Sequence, residues 1–91
     1  MTGALDGVRV LELSRYIAAP VTGKLLGELG ADVVKIETPG TGDPMRYWQS
    51  GDRAHSPQFA VYNRTKRGIT LDLKHSRGAE TFLRLAERAD V

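Results

Sequence analysis

The chain has 91 residues and contains no cysteine. This absence excludes a disulfide framework, a thiolate zinc site and a cysteine nucleophile, and it fits a reducing compartment. The first seven residues have no basic stretch followed by an apolar one, so no signal peptide is predicted. The apolar runs are only a few residues long, whereas a bilayer-spanning helix needs ~20. We therefore expect a cytoplasmic protein with no membrane partner.

No excess of one charge is present either. Thirteen Lys and Arg residues face eleven Asp and Glu residues, and the net charge is +2. Because the two signs are interspersed, the chain lacks the basic tract of a nucleic-acid-binding tail, and no nucleic acid partner is predicted. Hydrophobic residues make up 41% of the chain and charged residues 26%, as in ordinary globular proteins. The length allows one compact unit at most.

What is present is an alternation of strand and helix patterns. Residues 8–13 predict a first strand, the apolar spacing after Pro20 predicts a helix of about ten residues that stops at Gly30, and residues 32–37 predict a second strand. Such a βαβ unit favours parallel strands with a right-handed crossover. A short helix over residues 58–63, a third strand over 68–73 and a helix capped by Ser76 follow.

The closing residues 89–91 (ADV) repeat residues 31–33, where a helix gives way to a strand. The pattern therefore predicts an α/β fold: the start of a doubly wound, mainly parallel, Rossmann-like sheet, incomplete, whose two faces the chain cannot cover alone. Residues 45–57, which include Trp48 and His55, predict a long loop that serves a site. His55 and His75 have no second ligand at helical spacing, so no metal site is predicted.

Several chemical readings stay open at this level. The Gly-x-Gly-x-x-Gly fingerprint is absent between the first strand and helix, which disfavours dinucleotide binding although Glu37 occupies the place of a ribose-binding acid. The basic cluster of residues 63–67 indicates either a solvated loop or a place for an anionic ligand. Four carboxylates at strand ends or in loops could act as nucleophiles or bases, but salt-bridging or capping roles are favoured for them: Glu12, Glu37, Asp43 and Asp72.

A set of ordered blocks resembles the beginning of a family III CoA-transferase, of the CaiB/BaiF type that includes formyl-CoA transferase and α-methylacyl-CoA racemase. The blocks are residues 5–13 (LDGVRVLEL), 18–20 (AAP), 29–37 (LGADVVKIE), 42–46 (GDPMR), 63–74 (NRTKRGITLDLK) and 89–91 (ADV). The resemblance implies that residues 1–91 are the N-terminal part of a large CoA-binding domain, followed by a smaller domain, in an interlocked homodimer.

The same resemblance implies an activity that this segment cannot carry out alone. Family transferases pass CoA from an acyl-CoA to a carboxylic acid through an aspartate that forms an aspartyl-CoA thioester, and that aspartate lies past Val91 in relatives. CoA enters as the acyl-CoA substrate, and no metal is expected. An α-methylacyl-CoA racemase of the same fold is the nearest alternative, and a noncatalytic or dinucleotide-binding α/β module is the alternative from another class.

The resemblance also assigns site residues. The main chain of Ile17 and Ala18 is implied near the reactive end of CoA, and Leu71 and Lys74 near its adenine and phosphate end. Thr38 stands where formyl-CoA transferase has a basic residue facing CoA, which weakens or moves one phosphate contact. Ile17 replaces a polar amide side chain of that enzyme, which argues against a formyl or oxalyl substrate. Trp48 matches a tryptophan of the acyl pocket, although anchoring a loop is an equally good role for it.

Overall fold

A computed structural model describes residues 3–49 and 56–91 of the chain. Strands and helices alternate as the sequence patterns predict. The elements are strand β1 (Arg9–Leu13), helix α1 (Ala18–Glu28), strand β2 (Asp32–Glu37), a 3₁₀ helix (Pro44–Tyr47), helix α2 (Pro57–Asn63), strand β3 (Lys66–Thr70) and helix α3 (Ser76–Glu87).

The three strands form one parallel sheet in the order β1-β2-β3, which confirms the predicted α/β class. After α3 the chain returns to the edge of β1 that β2 does not occupy. There the Val91 N–H donates to the carbonyl of Arg9 at 3.2 Å, and the Leu11 N–H donates to the carbonyl of Val91 at 2.9 Å. This is the bonding of a parallel pair, so the strand order reverses at β1. Ligands of open α/β sheets bind at the carboxyl ends of the strands beside such a reversal.

Helix α1 covers one face of the sheet because its small residues allow close packing. The apolar core on this side consists of Val10, Ala31 and Val33. A Cβ at Gly23 would collide with the carboxylate of Glu12, so only glycine fits where α1 crosses β1. The helix ends as predicted, since Gly30 follows with φ +107°, a conformation that glycine adopts without steric cost.

The opposite face is covered only in part by α3. Ile36 is buried there, but Leu13 is 54% exposed and Leu83 on α3 is 61% exposed. A face with this much apolar surface in solvent is incomplete, as expected for a chain that cannot cover both sides of its sheet.

Three local predictions are wrong. Strand β3 spans Lys66–Thr70 and not residues 68–73. It begins two residues earlier than predicted, because the Lys66 side chain is buried in an ion pair with Glu12. His75 caps α3 in place of Ser76, and its Nδ1 accepts from the Arg77 N–H at 3.1 Å. The 3₁₀ helix, which Asp43 caps, starts at Pro44 and occupies the first three residues of the predicted loop of residues 45–57. His55 lies outside the described residues.

None of the helices within residues 3–49 and 56–91 has the length and hydropathy that a bilayer-spanning segment requires.

Candidate functional site

A cavity of about 550 Å³ opens at the carboxyl ends of the three strands. The ends of β1 and β2, the loops that follow them and the turn after β3 contribute to its wall. Its lining residues are Leu13, Ser14, Arg15, Ile36, Glu37, Thr38, Gly42, Asp43, Leu71, Asp72, Leu73 and Lys74. The size is within the range of small-molecule sites, and the position is the one that sheet topology favours for a ligand.

The structure brings together three of the six residues that the resemblance assigns to a site. Thr38, Leu71 and Lys74 line the cavity. Ile17 and Ala18 do not line it; they lie at the start of α1, directly after the loop that leaves β1.

Trp48 also lies outside the cavity wall. It follows the 3₁₀ helix, is 42% exposed and packs its ring against Tyr16, with 6.1 Å between the ring centroids. The contact joins the loop after the 3₁₀ helix to the loop after β1.

A layer of paired charges lies between the sheet and α1, beneath the cavity. The Lys35 ammonium lies 3.2 Å from Glu12 and 2.9 Å from Asp43. The Lys66 ammonium lies 2.7 Å from the other oxygen of Glu12. We call these four residues the buried charge cluster: Glu12, Lys35, Asp43 and Lys66. Each of the four side chains is at most 4% exposed.

The buried charge cluster contains two ammonium groups and two carboxylates, so its formal charge is zero. Buried charges of this kind are tolerated only when they are paired and hydrogen-bonded. Further partners are present, because Lys66 donates to the carbonyl of Pro20 and to Asn63, both at 2.8 Å. Burial lowers the pKa of Lys66, and its hydrogen bond to Glu12 opposes that shift.

Asp43 connects this layer to the backbone of two loops. Its Oδ1 accepts from the Tyr16 N–H at 3.1 Å and from the Met45 N–H at 2.9 Å, while its Oδ2 faces Lys35. Tyr16 has φ +65°, a left-handed conformation that is uncommon for a residue other than glycine. One buried carboxylate therefore fixes the start of the 3₁₀ helix and a strained turn after β1.

Glu37 forms a second tie at the end of β2. Its carboxylate accepts from Arg46 at 2.8 and 2.7 Å, in a two-pronged arrangement, and from the backbone N–H of Asp43 at 2.7 Å. The hydrogen bonds from Arg46 lower the pKa of Glu37 despite its burial. The same pairing raises the pKa of Arg46, whose guanidinium also stacks 3.9 Å above the ring centre of Phe59.

The wall contributed by β3 has a different construction. Asp72 accepts from the Lys74 N–H at 3.1 Å through its side chain and from the His75 N–H at 3.1 Å through its carbonyl. Gly78 in the first turn of α3 packs so close to this turn that a Cβ would collide with the carbonyl of Asp72. The turn places Lys74 at the rim.

Among the described residues, the charged side chains of the cavity wall that have no ion-pair partner are two cations, Arg15 and Lys74, and one acid, Asp72, which leaves an excess of one positive charge. The acids Glu37 and Asp43 in the wall are neutralised by Arg46 and Lys35. Within the described parts of the chain, by contrast, the side chains of Arg15 and Lys74 form no ion pair, although both border the cavity. With one more unpaired cation than unpaired acid, and with leucine and isoleucine side chains in its wall, the site is suited to an anionic ligand that has apolar parts.

The structure shows the contacts of the charged residues for which the sequence leaves several roles open. Glu12, Glu37 and Asp43 form ion pairs and Asp72 caps a turn, which are the roles that the sequence favours for them. Neither reading of the basic cluster 63–67 holds for Lys66, which is buried in an ion pair. Across residues 3–49 and 56–91, no three His, Asp or Glu side chains converge as metal ligands.

Sequence reasoning missed the pairing of Lys35 and Lys66 with these acids. A signal was present, because Glu12 and Lys35 are opposite charges that each lie two positions after an apolar residue of the α1 face, Val10 and Val33 respectively. Glu12 and Lys35 are register partners in the sheet, so the two charges had to meet once the strands paired.

Comparisons with known proteins agree with this architecture. The family model described as CoA-transferase family III matches residues 5–91. The succinyl-CoA–D-citramalate CoA-transferase of Chloroflexus aurantiacus is 42% identical over 88 residues, which are 96% of this chain and 22% of that protein. The succinyl-CoA:mesaconate CoA-transferase of Haloarcula hispanica is 47% identical over 94 residues, which are 98% of this chain and 24% of that protein.

A crystal structure of a CaiB/BaiF family protein from Brucella suis superposes with a TM-score of 0.90 at 39% identity, covering 99% of this chain and 25% of that one. The chain thus spans about a quarter or less of the length of each of these proteins.

Proposed function

Because the chain belongs to CoA-transferase family III, we propose that it is part of an enzyme that moves CoA from an acyl-CoA to a carboxylic acid. The relatives described above carry names of this reaction type. The segment's proposed part is one portion of the CoA pocket.

The observation that carries the proposal is the composition of the cavity wall. Thr38, Leu71 and Lys74, which the family resemblance assigns to CoA, meet at one cavity although they come from two different strand ends. Lys74 at the rim is free to meet a phosphate as a point charge, and the leucines offer surface to the apolar parts of the cofactor. Ile17 and Ala18 would contribute main-chain groups from the start of α1.

The catalytic group is proposed to lie outside these residues. In the chemistry that the resemblance implies, an aspartate carboxylate attacks the acyl-CoA thioester, which forms a mixed anhydride and expels the CoA thiolate. The thiolate then attacks the aspartyl carbonyl, which forms the aspartyl-CoA thioester and releases the donor acid. The carboxylates nearest the cavity floor, Glu12, Glu37 and Asp43, are held by cations. A carboxylate so paired is a poor nucleophile, which fits a catalytic aspartate past Val91 and an inactive isolated segment.

The remaining features of the proposal come from the family as well. We expect a cytoplasmic enzyme that assembles as an interlocked homodimer, uses acyl-CoA and a carboxylic acid as its two substrates, and needs no metal. A racemase of the same fold would instead exchange the α-proton of an acyl-CoA for deuterium from D₂O, without transferring CoA to an added acid.

Lys74→Ala in the full-length protein tests the pocket. Loss of the ammonium removes a charged contact to phosphate, so the dissociation constant of CoA is expected to rise about tenfold, which corresponds to about 1.4 kcal/mol. Isothermal titration calorimetry with CoA measures it.

Lys24→Ala is the matched control. Lys24 lies on α1 outside the cavity and pairs with Glu28 at 3.9 Å, so the same substitution makes the same change in net charge. The control should bind CoA as the wild type does. Equal affinity of the Lys74 variant and the wild type would remove Lys74 from the site, and a wild type that does not bind CoA would overturn the proposed function.

A further inference from the structure

We propose that Asp43 is a positioning residue for the CoA site: its buried carboxylate holds the Tyr16 turn in its left-handed conformation and so presents the main chain of Ile17 and Ala18 to the ligand. The inference rests on the proposed function for the identity of the ligand. The inference extends the proposed function, because it assigns a role to the side chain of Asp43 and to the buried charge cluster. The proposed pocket does not itself require either of them.

Tyr16 has a backbone conformation that needs support from its surroundings. A non-glycine residue with positive φ is strained and persists only where neighbouring groups hold it. The side chain of Tyr16 is 45% exposed, so its own burial does not hold the turn. The ring contacts Trp48, but the main chain of the turn is held by the hydrogen bond from the Tyr16 N–H to Asp43 Oδ1, at 3.1 Å across 27 residues of sequence.

Asp43 is itself held rigidly. It is 1% exposed, its Oδ1 also accepts from the Met45 N–H, and its backbone N–H donates to Glu37. Its Oδ2 faces Lys35 at 2.9 Å, and Lys35 is in turn fixed by Glu12. An acceptor held at so many points has little freedom, so the turn it anchors is placed to within the tolerance that a binding site needs.

The position of the Tyr16 turn in the chain supports the same role. Ile17 and Ala18 follow Tyr16 directly, and they begin α1 without a side-chain cap. Their main-chain position is therefore determined by the preceding turn and not by a capping residue of the helix. Asp43 also lines the cavity, between the ends of β1 and β2. Arg15, the residue before Tyr16, lines the cavity as well, so the turn that Asp43 holds connects the cavity wall to the start of α1.

Two ligands separate positioning from a general loss of structure. CoA reaches both ends of the proposed pocket, whereas adenosine 3′,5′-bisphosphate lacks the pantetheine arm and reaches only the end formed by Leu71 and Lys74. Calorimetric titration of the full-length protein with each ligand is the measurement. Asp43→Ala should raise the dissociation constant of CoA about tenfold and leave that of adenosine 3′,5′-bisphosphate within about twofold of wild type. Asp43→Asn, whose amide oxygen still accepts from Tyr16, should bind CoA more tightly than Asp43→Ala.

A second pair of variants leaves every buried charge in place. Tyr16→Val and Tyr16→Asn both remove the ring, but valine strongly disfavours positive φ whereas asparagine tolerates it. Tyr16 is half-exposed, so both variants should fold. Tyr16→Val should weaken CoA binding about tenfold relative to Tyr16→Asn, again without an effect on adenosine 3′,5′-bisphosphate.

The outcomes are distinct. Unchanged CoA affinity in Asp43→Ala, equal CoA affinity in Tyr16→Val and Tyr16→Asn, or an equal loss for both ligands would overturn the positioning role. A wild type that binds neither ligand would instead overturn the proposed function on which it rests.

Discussion

The two sides of the cavity wall are held by different kinds of contact. On the β1 and β2 side, the contacts join residues that are far apart in sequence. The carboxylate of Asp43 accepts a hydrogen bond from the Tyr16 N–H, 27 residues away, and the buried ammonium of Lys35 donates to Glu12, 23 residues away. On the β3 side, Asp72 makes its hydrogen bonds to residues two and three positions away, in an exposed turn. One wall depends on the whole fold, while the other is a local turn with a helix packed on it.

This difference indicates where each wall is vulnerable. When a buried ion pair loses one member, the other charge stays buried without a partner, and the free energy of unfolding falls by a large amount. A local turn loses little when one of its hydrogen bonds is broken, but it is sensitive to steric intrusion where α3 packs on it. Substitutions of similar size in the two walls should therefore change the stability of the protein by different amounts. They should also affect the binding of different parts of the ligand.

The largest effect is expected for Lys35→Met. The substitution preserves most of the side-chain volume but leaves Glu12 and Asp43 with Lys66 as the remaining cation of the buried charge cluster. Removal of one partner from a buried ion pair costs about 3–5 kcal/mol, and the free energy of unfolding of the full-length protein should fall by that amount. Urea denaturation of the variant and the wild type gives the difference.

Arg67→Met is the control for this prediction. Arg67 also pairs with an acid, Asp32, at 2.7 Å, but the two side chains are 71% and 48% exposed. Exposed pairs contribute less than about 1 kcal/mol, so the control should lose little stability. Equal losses in the two variants would contradict the contrast between buried and exposed pairs on which the description of this wall depends.

A smaller effect is expected for Gly78→Ala on the β3 side. The added Cβ collides with the carbonyl of Asp72, which belongs to backbone and cannot turn aside, so α3 must shift away from the turn. Overpacking of this kind costs about 1–3 kcal/mol. Gly68→Ala is the control, because a Cβ at Gly68 has no heavy atom within 4 Å. Urea denaturation should show a loss for Gly78→Ala alone, and comparable losses would refute a close contact at Gly78.

The same difference explains how much the sequence predicted. Leu71 and Lys74, which the family motif around them assigns to CoA, line the cavity, and the turn that carries them is built from neighbouring residues. The order of elements was also predictable, since it follows from local periodicity and from turn residues such as Gly30. The partner of Asp43 was not predictable, because nothing in the sequence near residue 43 indicates that Tyr16 and Lys35 lie beside it. Lys66 was misread for the same reason: its acid partner is on another strand.

The smallest effect is expected for Glu37→Gln, and it depends on pH. Arg46 lowers the pKa of Glu37 below its ordinary value of 4.5, with Lys35 adding to the shift. A carboxyl whose pKa is lower in the folded state stabilises the protein above the ordinary value, and that contribution disappears as the pH falls through the folded-state pKa. Glutamine keeps an acceptor oxygen but carries no charge, so at pH 7 the variant should be about 1 kcal/mol less stable, the margin of a charged over a neutral hydrogen bond.

The difference between wild type and Glu37→Gln should therefore shrink as the pH falls below 4.5. Urea denaturation of both proteins from pH 7 to pH 3 measures it, and Glu80→Gln on the exposed surface of α3 is the control, with a difference near zero at every pH. A stability difference for Glu37→Gln that stays constant across this range would contradict an ionised Glu37 bound to Arg46. In that case the interaction between residue 37 and Arg46 at the end of β2 would depend on the shape of the amide or carboxyl group and not on its charge.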